Sequence, residues 1–468
     1  MARLSLVIVA GLLSCKKMVS VPLPINSITS EEMFKTDAQA TTAMAGVYAQ
    51  MVNGPISFSN GYVTILAGMS ADELFYYGAG DASITSFAPN QLLQTNSYTS
   101  TLWTSGYKVI YNVNSVIEGI AASESSSLTD STRNQLTGEA KFVRAFCYFY
   151  LTNLFGDVPL VKTVDFNKTR YMTRTPVSEV YDQIVADLKE AQELLSADYS
   201  ISGTAKERIL PTKWAATALL ARVYLFKGEY ANAAEQASAV ISNTSLFSLE
   251  ADPLNVFLIK SKEAIWQMKQ GTTDAGFKNS TIEGWTILPT LTGVARYFLT
   301  PALLNAFETG DRRRTAWVGA TAAPVNYYPW KYKLGPTTFS TNPSTEYYMM
   351  LRLAEMYLIR AEAAANGAGS LTAAIDDLNV IRKRANVPAL PATLSQVQVI
   401  SAVDRERQVE LFGEWGHRWL DLKRTKKAHD VLSAMSSKQP WAGDYQLLYP
   451  VPPVEIQVNP RLEQNPEY

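Results

Sequence analysis

The segment Asp72-Glu73-Leu74-Phe75-Tyr76-Tyr77 sets two adjacent carboxylates just ahead of two phenol rings. Paired carboxylates are the working groups of glycoside hydrolysis, but that chemistry needs them about 5 to 10 Å apart across a cleft. Side chains at adjacent positions seldom point the same way, so a carboxylate-based hydrolase stands as the alternative here. Rings beside amides and carboxylates also suit saccharide recognition without catalysis. A ring face packs on a sugar's apolar C–H face, and a few polar groups fix its hydroxyls. On that reading no residue is catalytic. Ligand contacts are expected from Tyr76, Tyr77, Asn96, Trp285, Tyr297 and Trp330.

Histidine and cysteine narrow the chemistry by their scarcity. His417 and His429 are the only histidines, and Cys15 and Cys147 the only cysteines. No zinc site of the usual Cys/His type can be assembled from them, and no cofactor or metal is expected. A Ser-His-Asp or Cys-His device would need one of two histidines that lie in a charged C-terminal helical region. His417 is expected to be a helix-surface or ion-pair residue. Cys147, flanked by Phe146, Tyr148 and Phe149, reads as a buried, inert thiol. With 42 Lys and Arg against 43 Asp and Glu, there is no basic footprint for nucleic acid. The outlier is aromatic content. The 24 Tyr, 17 Phe and 9 Trp exceed what packing needs and leave a surplus for a binding surface.

The elements that must position these residues are mostly helical. Ala45-x-x-Tyr48, Ala145-x-x-Tyr148, Ala221-x-x-Tyr224 and Ala354-x-x-Tyr357 repeat one spacing, each inside an amphipathic stretch. From Leu220 to Ala237 the small residues follow the tetratricopeptide pattern of two antiparallel helices, so four helix pairs are expected. The pairs are not contiguous. Insertions at about 53–100 and 243–347 interrupt them, and long insertions on a rigid scaffold are where binding residues gather. The second holds a strand-like run, Glu263 to Met268.

Asp404 to Arg424 reads as the clamp of the fold. Leu411, Trp415, Trp419 and Leu422 would share one face of a continuing helix, with Glu414 and Arg418 in the favoured i,i+4 order. Gly413 and Gly416, each costing about 1 kcal/mol inside a helix, point instead to a close helix approach or a helix ending. Beyond it, Leu448 to Pro453 is punctuated by proline and is expected to be extended.

At the other end, Arg3 precedes an apolar run, Leu4 to Leu13, too short to span a bilayer and shaped like a signal peptide core. Leu12-Leu13-Ser14-Cys15 resembles the lipobox of bacterial lipoproteins. Residues 1–14 are therefore expected to be a signal peptide, with Cys15 the lipid-bearing start of a single domain, 15–468.

Taken together, these motifs resemble the SusD/RagB family of Bacteroidetes surface lipoproteins, essentially end to end. The similarity is strongest in Arg144 to Pro159, Leu351 to Glu362, Glu406 to Arg424 and Tyr449 to Tyr468, although Glu467 stands where the family usually has glycine. The resemblance implies a mainly α fold with four tetratricopeptide-like helix pairs and no catalysis. It also implies an oligosaccharide or polysaccharide ligand, an outer-membrane lipid anchor, and a SusC-like TonB-dependent transporter as partner. Lys16-Lys17 departs from the acidic residues that often follow the cysteine in outward-displayed lipoproteins. A purely structural tetratricopeptide adaptor is the further alternative.

Overall fold

The computed structural model describes residues 30–468 apart from Gly54, Ala79, 272–278 and 339–343. The expected signal peptide and Cys15 lie outside the described residues.

Eight helices form the scaffold. They are α1 (Asp37–Val52), α2 (Ser97–Ala122), α3 (Asp130–Phe155), α4 (Val177–Leu194), α5 (Lys213–Lys227), α6 (Tyr230–Ile241), α7 (Leu353–Ala363) and α8 (Leu371–Ala385). Their starts are set locally. The Thr36, Thr129 and Ser370 side chains each accept from a backbone N–H three residues on, satisfying an orphan donor of the first turn. Between α5 and α6, Gly228 adopts the left-handed φ of 72° that closes a tight helix–helix turn.

The helices pack as α1 on α2, α3 on α4, α5 on α6 and α7 on α8, and successive pairs stack on one another. Each of the four repeated Tyr residues lies on the first helix of a pair. Ala145, Ala221 and Ala354 are fully buried where helices meet. Ala45 differs, being exposed, and the first pair is tied instead by the Tyr48 hydroxyl donating to Glu139 at 2.7 Å. Buried ion pairs pin the stack. Arg144 reaches Asp187 with bonds of 2.8 and 2.7 Å, and Arg222 reaches Glu355 with bonds of 2.6 and 2.7 Å.

Among the described residues six short strands interrupt this scaffold: β1 (Leu74–Tyr76), β2 (Ala264–Met268), β3 (Tyr297–Leu299), β4 (Val318–Ala320), β5 (Tyr327–Pro329) and β6 (Tyr348–Arg352). They form antiparallel pairs β1–β3, β2–β6 and β4–β5. The expected strand after Glu263 is β2, buried along its whole length. Cys147 is fully buried, as its neighbours suggest, and burial pushes its thiol up.

The clamp is not one helix. α9 (Gln396–Leu411) ends before α10 (His417–Arg424) begins, and between them Gly413, Trp415 and Gly416 have φ of 59°, 49° and 66°. A Cβ on Gly416 would sit 2.5 Å from that of Ala67, so the chain turns where it also passes close to helix Tyr62–Ser70. Leu411, Trp415, Trp419 and Leu422 are all buried, but the break destroys the i,i+4 relation of Glu414 and Arg418. Glu414 pairs with Arg352 at 2.8 Å, and Arg418 pairs with Asp72 at 2.7 Å. His417 is also not on the surface. It is 5% exposed, and burial among Arg222, Arg407 and Arg352 holds its imidazole well below the usual range, hence neutral.

Around this turn lies a buried ionic network. Arg352 donates to Glu414, to Glu263 at 2.9 Å and to Glu410 at 2.6 Å, while Arg384 bridges the same Glu263 and Glu410 at 2.9 and 2.5 Å. Arg313 adds Glu406 at 2.5 Å and Glu410 at 3.0 Å. Against the upward push of burial, Arg384, Arg352 and Arg313 hold the Glu410 carboxyl well below its ordinary range. The network ties Glu263 and Arg313 of the second insertion, and Arg352 just beyond it, to the C-terminal helices.

Candidate functional site

The two insertions meet in the β1–β3 pair, where Tyr76 lies opposite Tyr297, with ring centroids 5.3 Å apart. Pairing continues one step further, as the Tyr77 N–H donates to the Arg296 carbonyl at 2.7 Å. Because side chains alternate along a strand, Tyr76 and Tyr77 diverge. Tyr77 stands 69% exposed, edge-on to Phe298 at 6.0 Å. Gly78 lets the Tyr76 ring fold back across the chain, since a Cβ there would lie 2.2 Å from that ring.

A second wall comes from helix Tyr62–Ser70 and the first turn of α2. Tyr62 and Tyr98 meet edge to face at 5.3 Å, and the Tyr98 hydroxyl donates to Asp81 at 2.5 Å. That bond, with N–H groups of the following turn, holds the Asp81 carboxyl below its ordinary range. Burial and Asp81 together push up the Tyr98 and Tyr62 phenols. Burial, Tyr76 and Tyr62 push up Tyr297, with Asp81 contributing. The five residues thus share one neighbourhood at neutral pH, with four phenol donors around one charged acceptor. This is an aromatic, hydroxyl-rich wall with a single carboxylate, Asp81, held by the Tyr98 hydroxyl.

The six residues singled out in the sequence take different places. Tyr76, Tyr77 and Tyr297 come together on the β1–β3 pair, with Tyr76 and Tyr297 (6% exposed) on one face and the exposed Tyr77 ring on the other, beside Phe298. Asn96 does not face outward. It is 4% exposed and caps α2, accepting from the Tyr98 and Thr99 N–H groups at 2.9 and 3.2 Å and donating to the Ser83 carbonyl at 2.8 Å. Its role is to hold Tyr98 and the Asp81 turn in place, as expected of asparagine before a helix.

Trp285 is half-buried on helix Ile282–Ile287, whose start abuts the Gly61–Tyr62 corner. Trp330 follows β5 and is also half-buried. One face of its ring is covered by the Lys333 ammonium at 3.8 Å. Sequence reasoning missed Tyr62, Asp81 and Tyr98. All three lie in the first insertion, and the tyrosine spacing 62, 76, 77, 98 was the signal available.

The adjacent acids are closed off. Asp72 is locked to Arg418 by bonds of 2.7 and 2.8 Å, and Glu73 is 1% exposed. Burial and the neighbouring Asp72 push the Glu73 carboxyl up to about 8. One is a salt-bridge partner and the other is sealed inside, so this pair offers no cleft to a glycosidic bond.

Comparison with known proteins follows the same line. Residues 27–225 match a family model described as SusD-like, "Starch-binding associating with outer membrane", and residues 318–468 match that of the SusD family. The SusD-like protein P2 of Formosa agariphila is 27% identical, over 95% of this chain and 95% of its own. A SusD superfamily protein of Bacteroides vulgatus superposes with a TM-score of 0.79 at 20% identity, over 93% of this chain and 100% of its own. A structure described as a laminarin binding SusD-like protein superposes with a TM-score of 0.77 at 23% identity, over 93% and 100%.

Proposed function

Since the chain belongs to the SusD/RagB family, a family associated with carbohydrate binding and the outer membrane, we propose that it is a non-catalytic, cell-surface lipoprotein. It captures an oligosaccharide or polysaccharide on the face built by its two insertions and delivers it to a SusC-like TonB-dependent transporter. Cys15 carries the lipid anchor.

The observation that carries the saccharide reading is the exposed Tyr77 ring, packed edge-on to Phe298 at the end of the β1–β3 pair, whose other face carries Tyr76, Tyr297 and the Tyr98–Asp81 bond. A sugar's C–H face stacks on Tyr77, and its hydroxyls exchange hydrogen bonds with phenols and carboxylate. Trp285 extends the platform from the second insertion. Asn96, Tyr297 and Trp330 position it. A shallow platform leaves much of the ligand in water, so affinity should lie between about micromolar and millimolar. Such binding suits a protein that must release its cargo.

The test is native gel retardation over a panel of polysaccharides. Wild-type protein should be retarded by at least one glycan, and Tyr77→Ala and Trp285→Ala should lose that retardation while melting normally. Normal retardation of both variants would move the site elsewhere. Reducing-sugar release by the purified protein would overturn the non-catalytic assignment. For the anchor, Cys15→Ala should leave an unprocessed or soluble protein. One acyl chain binds only marginally, at about 0.8 kcal/mol per buried CH₂, so stable anchoring needs several.

A further inference from the structure

Among the described residues four aromatic rings stand largely exposed: Tyr77 at 69%, Tyr111 at 55%, Phe166 at 68% and Tyr171 at 45%. Only Tyr77 belongs to the insertion face. Phe166 and Tyr171 line one cleft of about 580 Å³ between α2, the loop after Pro159 and helix Pro453–Val458, and Tyr111 lies outside its lining. Its floor is Trp103 and Tyr107, with ring centroids 5.0 Å apart. The loop is tied down along α2, as the Tyr107 hydroxyl donates to the Pro159 carbonyl at 2.8 Å and Asn114 donates to that of Val161 at 3.0 Å. Tyr111 stands one turn beyond Tyr107, between those two anchors.

We propose that this cleft is a second saccharide site, selective for saccharides bearing an anionic group, whether carboxylate or sulfate ester. For the ligand class it rests on the saccharide reading above, but it does not depend on the insertion face. Tyr98 and Tyr107 are about two and a half turns apart on α2, so they leave the helix on opposite sides. The two ring clusters therefore belong to separate surfaces.

The charge preference follows from two cations. The Arg170 guanidinium lies over Tyr171 at 5.0 Å and over Phe166 at 5.8 Å, and it makes no ion pair among the described residues. Lys108, on the cleft wall, likewise has no carboxylate partner among them. A guanidinium beside two rings and without an ion-pair partner keeps N–H donors to offer, and its fork matches a carboxylate or sulfate. The rings supply the flat apolar surface and the cations take the anion. A neutral glycan would leave both cations unused. The opposing carboxylate in the lining, Glu455, is half-buried, and burial raises its pKa, which softens its repulsion of an anion.

Isothermal titration of the folded protein with two anionic probes, penta-galacturonate and a sulfated carrageenan tetrasaccharide, and with uncharged galacto-oligosaccharide, tests this. At least one anionic probe should bind more tightly than the neutral one, and more weakly as salt rises, because the cations are solvent-exposed. The double variant Phe166→Ala/Tyr171→Ala, and separately Arg170→Gln, should lose ten-fold or more in affinity for that probe. The melting temperature and retardation by the glycan held at Tyr77 should not change.

Absence of binding by both anionic probes overturns the proposal, as does unchanged affinity in the cleft variants. If Tyr77→Ala alone abolishes binding of the anionic probe, the second site falls while the saccharide reading stands. If the cleft variants keep saccharide binding but lose co-purification with a membrane protein, the cleft is a protein contact and the proposal is wrong.

Discussion

At the centre of the molecule Arg352, Arg384 and Arg313 converge on Glu410, all four side chains buried. On the insertion face Tyr77 projects into solvent from a strand only three residues long. Both places join parts of the chain far apart in sequence, and each inverts the common pattern by putting charge inside and a large ring outside. In that network Glu263, Glu406, Glu410 and Glu414 are each answered by a guanidinium or ammonium, so their charges hold segments in register and are closed to a ligand. Outside, the ring has little to hold and is open to one. A site and a clamp are therefore told apart by what remains unsatisfied, not by residue type.

If that distinction is right, the largest effect should come from the clamp. Glu410→Ala takes one carboxylate partner from each of three buried guanidinium groups and should destabilise the fold by about 3 to 5 kcal/mol, read from denaturant midpoints. Any protein that remains folded should bind glycan normally. Loss of binding without loss of stability would break the comparison.

Next in size is a pH effect at Glu73. Its folded carboxyl titrates near 8 against an ordinary value of 4.5, because of burial and the adjacent Asp72. Between those values the folded state holds a proton that the unfolded state has released, so stability is greatest below about 4.5 and falls as pH rises toward 8. Glu73→Gln should therefore gain roughly 2 to 4 kcal/mol over wild type at pH 8 and nearly nothing at pH 4. A difference that does not vary with pH would show that Glu73 stays charged inside the fold.

On the exposed side, Tyr77→Ala should weaken glycan binding ten-fold or more, about 1.4 kcal/mol, while shifting unfolding by less than about 0.5 kcal/mol. The smallest effect expected is at the boundary between the two classes. Asn96→Ala removes a helix cap and should lower stability by about 1 kcal/mol, with a modest loss of affinity as the Tyr98–Asp81 wall loosens. Binding lost at Asn96 as fully as at Tyr77 would make it a contact residue after all.

The helical scaffold was legible because its signals are local. Small residues three before a tyrosine, and Ser, Thr or Asn before a periodic run, need only a few neighbours to be read. Ala45 shows the limit: the spacing was right, but whether a helix flank is covered depends on a partner far away. The clamp was half legible. Gly413 and Gly416 announced a break, yet the i,i+4 pairing of Glu414 with Arg418 assumed a continuous helix, and the left-handed turn at Trp415 sends them to Arg352 and Asp72 instead.

At the candidate site, composition pointed to two insertions that the structure brings together at β1 and β3, but it could not separate an open ring from a covered one. Tyr77 and Tyr297 look alike in sequence, and only the strand pairing decides which is open. Asn96 was misjudged because an amide near aromatics was read as a ligand group, when the helix beginning one residue later gave it a nearer task.

The β1–β3 pairing joins Leu74 to Leu299 and Tyr76 to Tyr297 across nearly half the chain's sequence. A loop that long closes late, because chain entropy opposes it until the intervening helices have condensed. Glycan binding should then appear as the final event of refolding, after helix content has recovered. A nascent or clipped chain ending before Tyr297 would carry all of β1 and still have no platform. If ligand is captured on this platform, capture reports complete folding, and a labelled glycan added during refolding would time the closure directly.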